Sequence, residues 1–247
     1  MHIMKRVERS LLRKLLPPPV HARHREYSML FSADDEASTP SRALLSLAVD
    51  AIQRAQTVSL ETVSARIADP PAYPDVWPGE LYKLLAGLML SLRPTRVVEV
   101  GTGGGTSTLT MKRYLPPEGR IVTFDVVGWQ AWSGGLLRAD DFQDGRLVQW
   151  TDDVSQPDTF PKFRGVFESA QLIFIDAAKD GVMEQRLLNL LETAAFPAPV
   201  LLVFDDIRLW NMLAIWRAIR APKLDVTSFG HWTGTGLVEW ASPNLRQ

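Results

Sequence analysis

From residue 96 to residue 205 the chain alternates between short apolar runs and stretches of helical period. The runs are RVVEV at 96–100, RIVTFD at 120–125, RLVQW at 146–150, QLIFID at 171–176 and PVLLVFD at 199–205. Between them, helical spacing is clearest at 105–114, 183–194 and 208–220. Strands alternating with helices build a parallel sheet through right-handed crossovers, with helices on both faces. The tail breaks this rhythm. Residues 223–229 and 235–240 are strand-like, and the Gly/Thr turn between them leaves no room for a helix. The pattern therefore predicts an α/β fold: a doubly wound, mostly parallel seven-stranded sheet closed at one edge by an antiparallel C-terminal hairpin.

Ahead of the sheet the pattern is helical. Val7, Leu11, Leu12, Leu15 and Leu16 recur at helical spacing among basic residues, and PPPV at 17–20 stops that helix. Further helices are expected at 41–55, at 58–67 and from about Gly79 to Leu92, with a proline-rich loop at 69–79. This divides the chain into an N-terminal helical extension, 1–78, and an α/β domain, 79–247. The extension exceeds what the sheet needs, and the apolar stripe of 7–16 calls for a partner surface, so a homodimer is expected.

Composition narrows the partners. The 247 residues are 46% hydrophobic, enough for one large core, and 27 basic residues nearly cancel 28 acidic ones. A phosphate-backbone binder would carry a basic excess, so no nucleic acid is expected. The chain has no cysteine, which excludes disulfides and thiolate metal sites. MKRVERSLLRKLL is too broken by charge for a signal peptide, and no apolar run approaches the ~20 residues of a membrane span. A cytoplasmic protein without a membrane partner is the expectation.

Candidate chemistry lies where strands end. VVEVGTGGGTSTLTM places Gly101, Thr102, Gly103 and Gly105 between a strand and a helix, where backbone can approach a ligand and free N–H groups await it. The dinucleotide fingerprint wants a third glycine where Thr106 stands, so a pyrophosphate fits poorly. Glu99 would repel a pyrophosphate but suits a cationic ligand, and Asp125 can accept both ribose hydroxyls. A nucleoside with a positive tail is S-adenosylmethionine (SAM). In an open parallel sheet Asp176, Asp205 and Asp206 gather at the carboxyl ends of the strands. Three carboxylates in one cleft repel unless a cation joins them, and all-oxygen ligation suits Mg²⁺. The alternative is that Asp206 caps the next helix and Asp205 pairs with an arginine.

Residues 79–240 resemble class I SAM-dependent methyltransferases, and within them the cation-dependent small-molecule O-methyltransferases of the catechol and caffeoyl-CoA type. The family motif E-x-G-x-x-x-G-x-S is matched by Glu99, Gly101, Gly105 and Ser107. The resemblance implies a Rossmann-like methyltransferase fold. It also implies that Glu99 and Ser107 hold the methionine end, Asp125 the ribose, and Asp152 and Asp153 the adenine. PGELY at 78–82 is similar to a family segment that packs on the cofactor, which adds Gly79 and Glu80. The family's D-x-x-K is matched by Asp176 and Lys179, and its metal-binding Asp by Asp205. The next family residue is usually Asn, and here it is Asp206. By this likeness Asp176, Asp205 and Asp206 bind the metal, Asp176 also neighbours the cofactor, and Lys179 takes the substrate proton, its pKa lowered by the adjacent cation.

The function implied is metal-dependent transfer of a methyl group from SAM to a hydroxyl of a small molecule with neighbouring hydroxyls. A nicotinamide-dependent oxidoreductase and a non-catalytic SAM-binding protein are the alternatives. Trp129, Trp132, Trp210 and Trp232 are candidate walls for an aromatic substrate. VVGWQAWSGG, after Asp125, departs from the family, and His231 reads as a turn residue.

Overall fold

The computed structural model describes residues 39–67 and 73–242. The expected helix over 7–16, its PPPV stop and part of the proline-rich loop lie outside the described residues. Among the described residues three α-helices precede the sheet: α1 (Arg42–Ala55), α2 (Glu61–Ser64) and α3 (Leu81–Leu92). Then come β1 (Arg96–Val100), α4 (Thr106–Tyr114), β2 (Arg120–Phe124), β3 (Leu147–Trp150), α5 (Phe160–Glu168) and β4 (Leu172–Ile175). The chain continues through α6 (Met183–Glu192), β5 (Val200–Asp205), α7 (Met212–Ala218), β6 (Lys223–Asp225) and β7 (Thr235–Trp240).

The seven strands lie in the order β3-β2-β1-β4-β5-β7-β6. The first five pair parallel, and β7 runs antiparallel between β5 and β6. This is the mostly parallel sheet with an antiparallel C-terminal pair that the hydrophobic pattern predicts. The hairpin is looser than expected, because 227–229 form a 3₁₀ turn.

Period-two alternation divides the core between two faces. Val98, Val100, Ile173, Ile175, Leu202 and Phe204 face one layer, packed under Phe160 and Phe167 of α5, Leu187 and Leu191 of α6, and Trp216 of α7. Val97, Phe174, Leu201 and Val203 face the other, covered by α1, α3 and α4 through Leu44, Ala51, Leu84, Leu88 and Met111. Every residue of β4 and β5 is buried, as expected for strands covered on both sides. The chain winds outward from β1 to β3 and then returns to β4 beside β1. That reversal opens a crevice at the carboxyl ends of β1 and β4.

Candidate active site

The crevice holds a cavity of about 420 Å³, lined in part by Gly101, Gly103, Asp125, Asp152, Asp153 and Asp176. Its size is ordinary for a small-molecule site. Gly101 leaves β1 with φ +101°, and a Cβ there would lie 1.8 Å from the carbonyl oxygen of Asp176. Only glycine lets the two strand ends approach so closely. Gly105 begins α4 with φ +86°, and a Cβ on it would meet Leu137 Cγ at 2.5 Å. Both glycines serve the turn, and Gly101 and Gly103 also line the cavity.

Asp125 organises the loop. One of its carboxylate oxygens accepts the Gly103 N–H at 2.8 Å and the other the Val127 N–H at 3.0 Å. Asp153 accepts from the backbone and hydroxyl of Ser155 and from Gln156. Burial opposes its ionisation, but those bonds outweigh it and hold its carboxyl below the usual range. The segment that departs from the family, VVGWQAWSGG, brings Trp132 over Gly103 and Gly104 and onto the cavity wall.

Glu99, Thr102, Gly105 and Ser107 lie behind that wall. Glu99 is fully buried, and the hydroxyls of Ser107 and Thr108 each donate to one of its oxygens. Burial pushes its carboxyl up to about 7, against those hydrogen bonds. Thr102 shares a hydroxyl hydrogen bond with Thr123. Gly79 is placed away from the cavity, in a backbone bridge to His231.

Beside the cavity the acids gather as the strand ends require. Asp205 is the last residue of β5, and Asp206 follows in the left-handed region at φ +58°. That turn of the backbone lets two consecutive carboxylates converge, which a continuing strand forbids. Both are almost wholly buried. Asp206 is bound by the Thr233 hydroxyl and the Lys179 ammonium. The same ammonium lies 2.9 Å from Asp176. Helix α7 starts at Met212 with Asn211 at the N-cap position and no side chain capping it, so Asp206 does not serve as its cap.

The residue that the sequence reading missed is His231. Its Nδ1 stands 3.2 Å from an oxygen of Asp205 and 3.2 Å from one of Asp206, and its Nε2 lies 3.7 Å from Glu80. Burial would lower its pKa, but the two aspartates raise it to about 10. Burial lifts Asp205 to about 6, with the charges of Asp176 and Asp206 adding to the rise. Asp206 is pulled the other way: its bonds from His231, Lys179 and Thr233 overcome burial and hold it well below the carboxylate range. Asp176 is raised by burial, against the attraction of Lys179. Burial would also lower Lys179, yet Asp176 and Asp206 raise it above the ordinary lysine range.

The backbone is strained around this cluster. Lys179, Asp206 and Trp210 all have positive φ, a conformation that costs a non-glycine residue roughly 1 kcal/mol or more. Buried Glu184 holds the Lys179 turn by accepting the N–H groups of Lys179 and Gly181. The tryptophans divide. Trp129 stacks on Phe142, Trp132 lines the cavity, and Trp210 and Trp232 are exposed, Trp232 set edge-on to His231. No helix among the described residues is long and apolar enough to cross a membrane.

No protein-family model and no curated protein matches the chain. Solved structures that it is similar to include the O-methyltransferase TomG from Streptomyces achromogenes, involved in tomaymycin synthesis and in complex with SAM. There the identity is 18%, covering 83% of this chain and 92% of that one, with a TM-score of 0.42. Another is an O-methyltransferase from Bacillus cereus in complex with S-adenosylhomocysteine, at 18% identity over 76% of this chain and 90% of that one, TM-score 0.46. A third is a methyltransferase from Geobacter sulfurreducens, at 17% identity over 78% of this chain and 89% of that one, TM-score 0.46. At such scores the fold rests on the strand order, not on these likenesses.

Proposed function

We propose that the chain is a SAM-dependent O-methyltransferase whose substrate hydroxyl is held by a divalent cation at the acidic cluster. The observation that carries this reading is the position of Asp176. It lines the cavity beside Gly101 and, through Lys179, joins the cluster of Asp205 and Asp206. A nucleoside in the cavity and a hydroxyl at the cluster would then meet at one carboxylate. Asp125 sits at the end of β2 as the acceptor for ribose hydroxyls, each of its oxygens keeping a lone pair beyond its backbone bond.

The donor set fits a cation. Asp205, Asp206 and His231 each offer one ligand atom, and these atoms lie within 4.8 Å of one another. A bound divalent ion lowers the pKa of a hydroxyl in contact with it and fixes that hydroxyl's position. In the transfer, the hydroxyl oxygen forms a bond to the methyl carbon as the carbon–sulfur bond breaks. The sulfonium leaves as a neutral thioether, and the hydroxyl proton goes to a base. Lys179 is the candidate for that proton. It must first lose its own, and neutralising the charge on Asp206 removes part of what holds it.

The test is transfer of labelled methyl from SAM to a panel of vicinal diols and catechols, with and without chelator. Turnover that vanishes in EDTA and returns with a divalent ion is expected. Full turnover by demonstrably metal-free protein overturns the cation's part. Failure to bind S-adenosylhomocysteine in calorimetry overturns the whole reading.

A further inference from the structure

We propose that Asp205, Asp206 and His231 form one mixed carboxylate–imidazole site, which takes a first-row transition ion such as Mn²⁺, Fe²⁺ or Co²⁺ in preference to Mg²⁺. Asp176 is left as the partner of Lys179. The proposal rests on the reading of the acidic cluster as a cation site and names its ligands and its metal class.

Spacing is the first reason. Neighbouring ligands of a six-coordinate ion with bonds near 2.1 Å are separated by about 3 Å. His231 Nδ1 lies 3.2 Å from Asp205 Oδ1 and 3.2 Å from Asp206 Oδ1. An ion can therefore enter with small side-chain shifts. Asp176 does not belong to the group whose donor atoms share this mutual reach, and its Oδ1 is engaged by Lys179 at 2.9 Å.

Orientation is the second. A ligating imidazole is usually steered by a carboxylate on its other nitrogen, and Glu80 Oε2 faces Nε2 at 3.7 Å. The bridge between Gly79 and His231 fixes the two segments against each other. The Thr233 hydroxyl touches both Asp206 Oδ1 and His231 Nδ1, so it must turn to keep only the carboxylate when an ion binds. Lys179 meets the other oxygen of Asp206, Oδ2, and does not compete for Oδ1.

Donor chemistry is the third. Mg²⁺ prefers an all-oxygen shell, whereas imidazole nitrogen favours the later first-row ions. An all-aspartate site would be indifferent to this distinction, and one with His231 is not.

The test uses the full chain, stripped with EDTA and reloaded with Mn²⁺. Pulsed electron paramagnetic resonance should detect a ¹⁴N coupling from a directly bound imidazole. Competition dialysis should show Mn²⁺ binding at least about tenfold tighter than Mg²⁺. His231→Gln should lose the nitrogen coupling and most of the preference, while Asp176→Asn keeps both. Should His231→Gln fail to fold, protein grown with ¹⁵N-histidine replaces it, and the coupling must change to the ¹⁵N pattern. No Mn²⁺ binding, no nitrogen coupling in the wild type, or a coupling that survives His231→Gln overturns the proposal. So does loss of Mn²⁺ binding in Asp176→Asn but not in His231→Gln. Calorimetry with S-adenosylhomocysteine on the same samples separates the outcomes: cofactor binding without nitrogen coupling defeats this site and leaves the methyltransferase reading standing.

Discussion

Glycines and aspartates at this site look interchangeable in the sequence and are not so in the fold. Gly101 is held by contact as well as by backbone, since a Cβ would overlap the Asp176 carbonyl. Gly101→Ala should therefore destabilise the protein by more than about 2 kcal/mol, through overpacking and the left-handed φ together. Thermal unfolding with a melting point unchanged from wild type would contradict this. Asp125 makes a different prediction. Its bond from the Gly103 N–H ties the glycine loop to the end of β2, its bond from the Val127 N–H holds the turn that follows, and its remaining lone pairs are the proposed ribose acceptors. Asp125→Ala should weaken S-adenosylhomocysteine binding by at least about tenfold, a hydrogen bond to a charged acceptor being worth roughly 1.5–3 kcal/mol. Unchanged calorimetric affinity removes it from the site.

Among the elements, the turn between β4 and α6 is the one that places chemistry. It holds Lys179 at positive φ, and the Glu184 carboxylate inside the first turn of α6 accepts two of its N–H groups, at 2.6 and 3.1 Å. Glu184→Gln offers one oxygen acceptor where two were used and sets an amide N–H₂ against a donor. It should cost about 1–3 kcal/mol of stability and lower turnover, with affinity for S-adenosylhomocysteine little changed. Wild-type turnover in this variant would show that Lys179 is positioned without it. The loop after β5 does comparable work. The periodicity from 208 to 220 suggests one continuous helix, but α7 spans only Met212–Ala218. The residues before it turn sharply instead, with Arg208 N–H bonded to the Thr233 carbonyl. That contact carries the β6–β7 connection, and with it His231, toward the acid pair.

At the scale of the molecule, burying Glu99 under the loop links folding to pH. A glutamate with an ordinary pKa of 4.5 in the unfolded chain rises to about 7 in the fold. Between those values the unfolded state binds fewer protons, so stability falls as pH rises. The Glu99 contribution is fully present below 4.5 and is lost as pH climbs through about 7. Glu99→Gln cannot ionise. Urea unfolding from about pH 5 to about pH 8 should show the wild type losing stability relative to the variant. A constant difference across that range would mean that Glu99 does not titrate there.

Much of this protein was legible in one dimension. Runs such as LIFI and VLLVFD are apolar at every position because both faces of a parallel strand are covered, and their alternation with helical segments specifies the sheet and its crossovers. Asp125 and Asp176 were legible for the same reason, since strand ends in such a sheet converge on one crevice, whereas Asp152 and Asp153 were marked by the family resemblance. The helix over 160–168 was less so, its pattern interrupted by Pro161 and Gly165. The gathering of the acids was legible too, but tertiary structure alone decided how the cluster closes and that His231 joins it. Asp205 and Asp206 converge because the backbone turns left-handed at Asp206, which no propensity of an isolated aspartate demands. His231 joins them because β7 pairs antiparallel with β5 in a register that sets Thr235 opposite Asp205. The short turn before Thr235 then delivers an imidazole across 26 residues of sequence. Local sequence encodes period and termination; long-range pairing chooses which side chains meet.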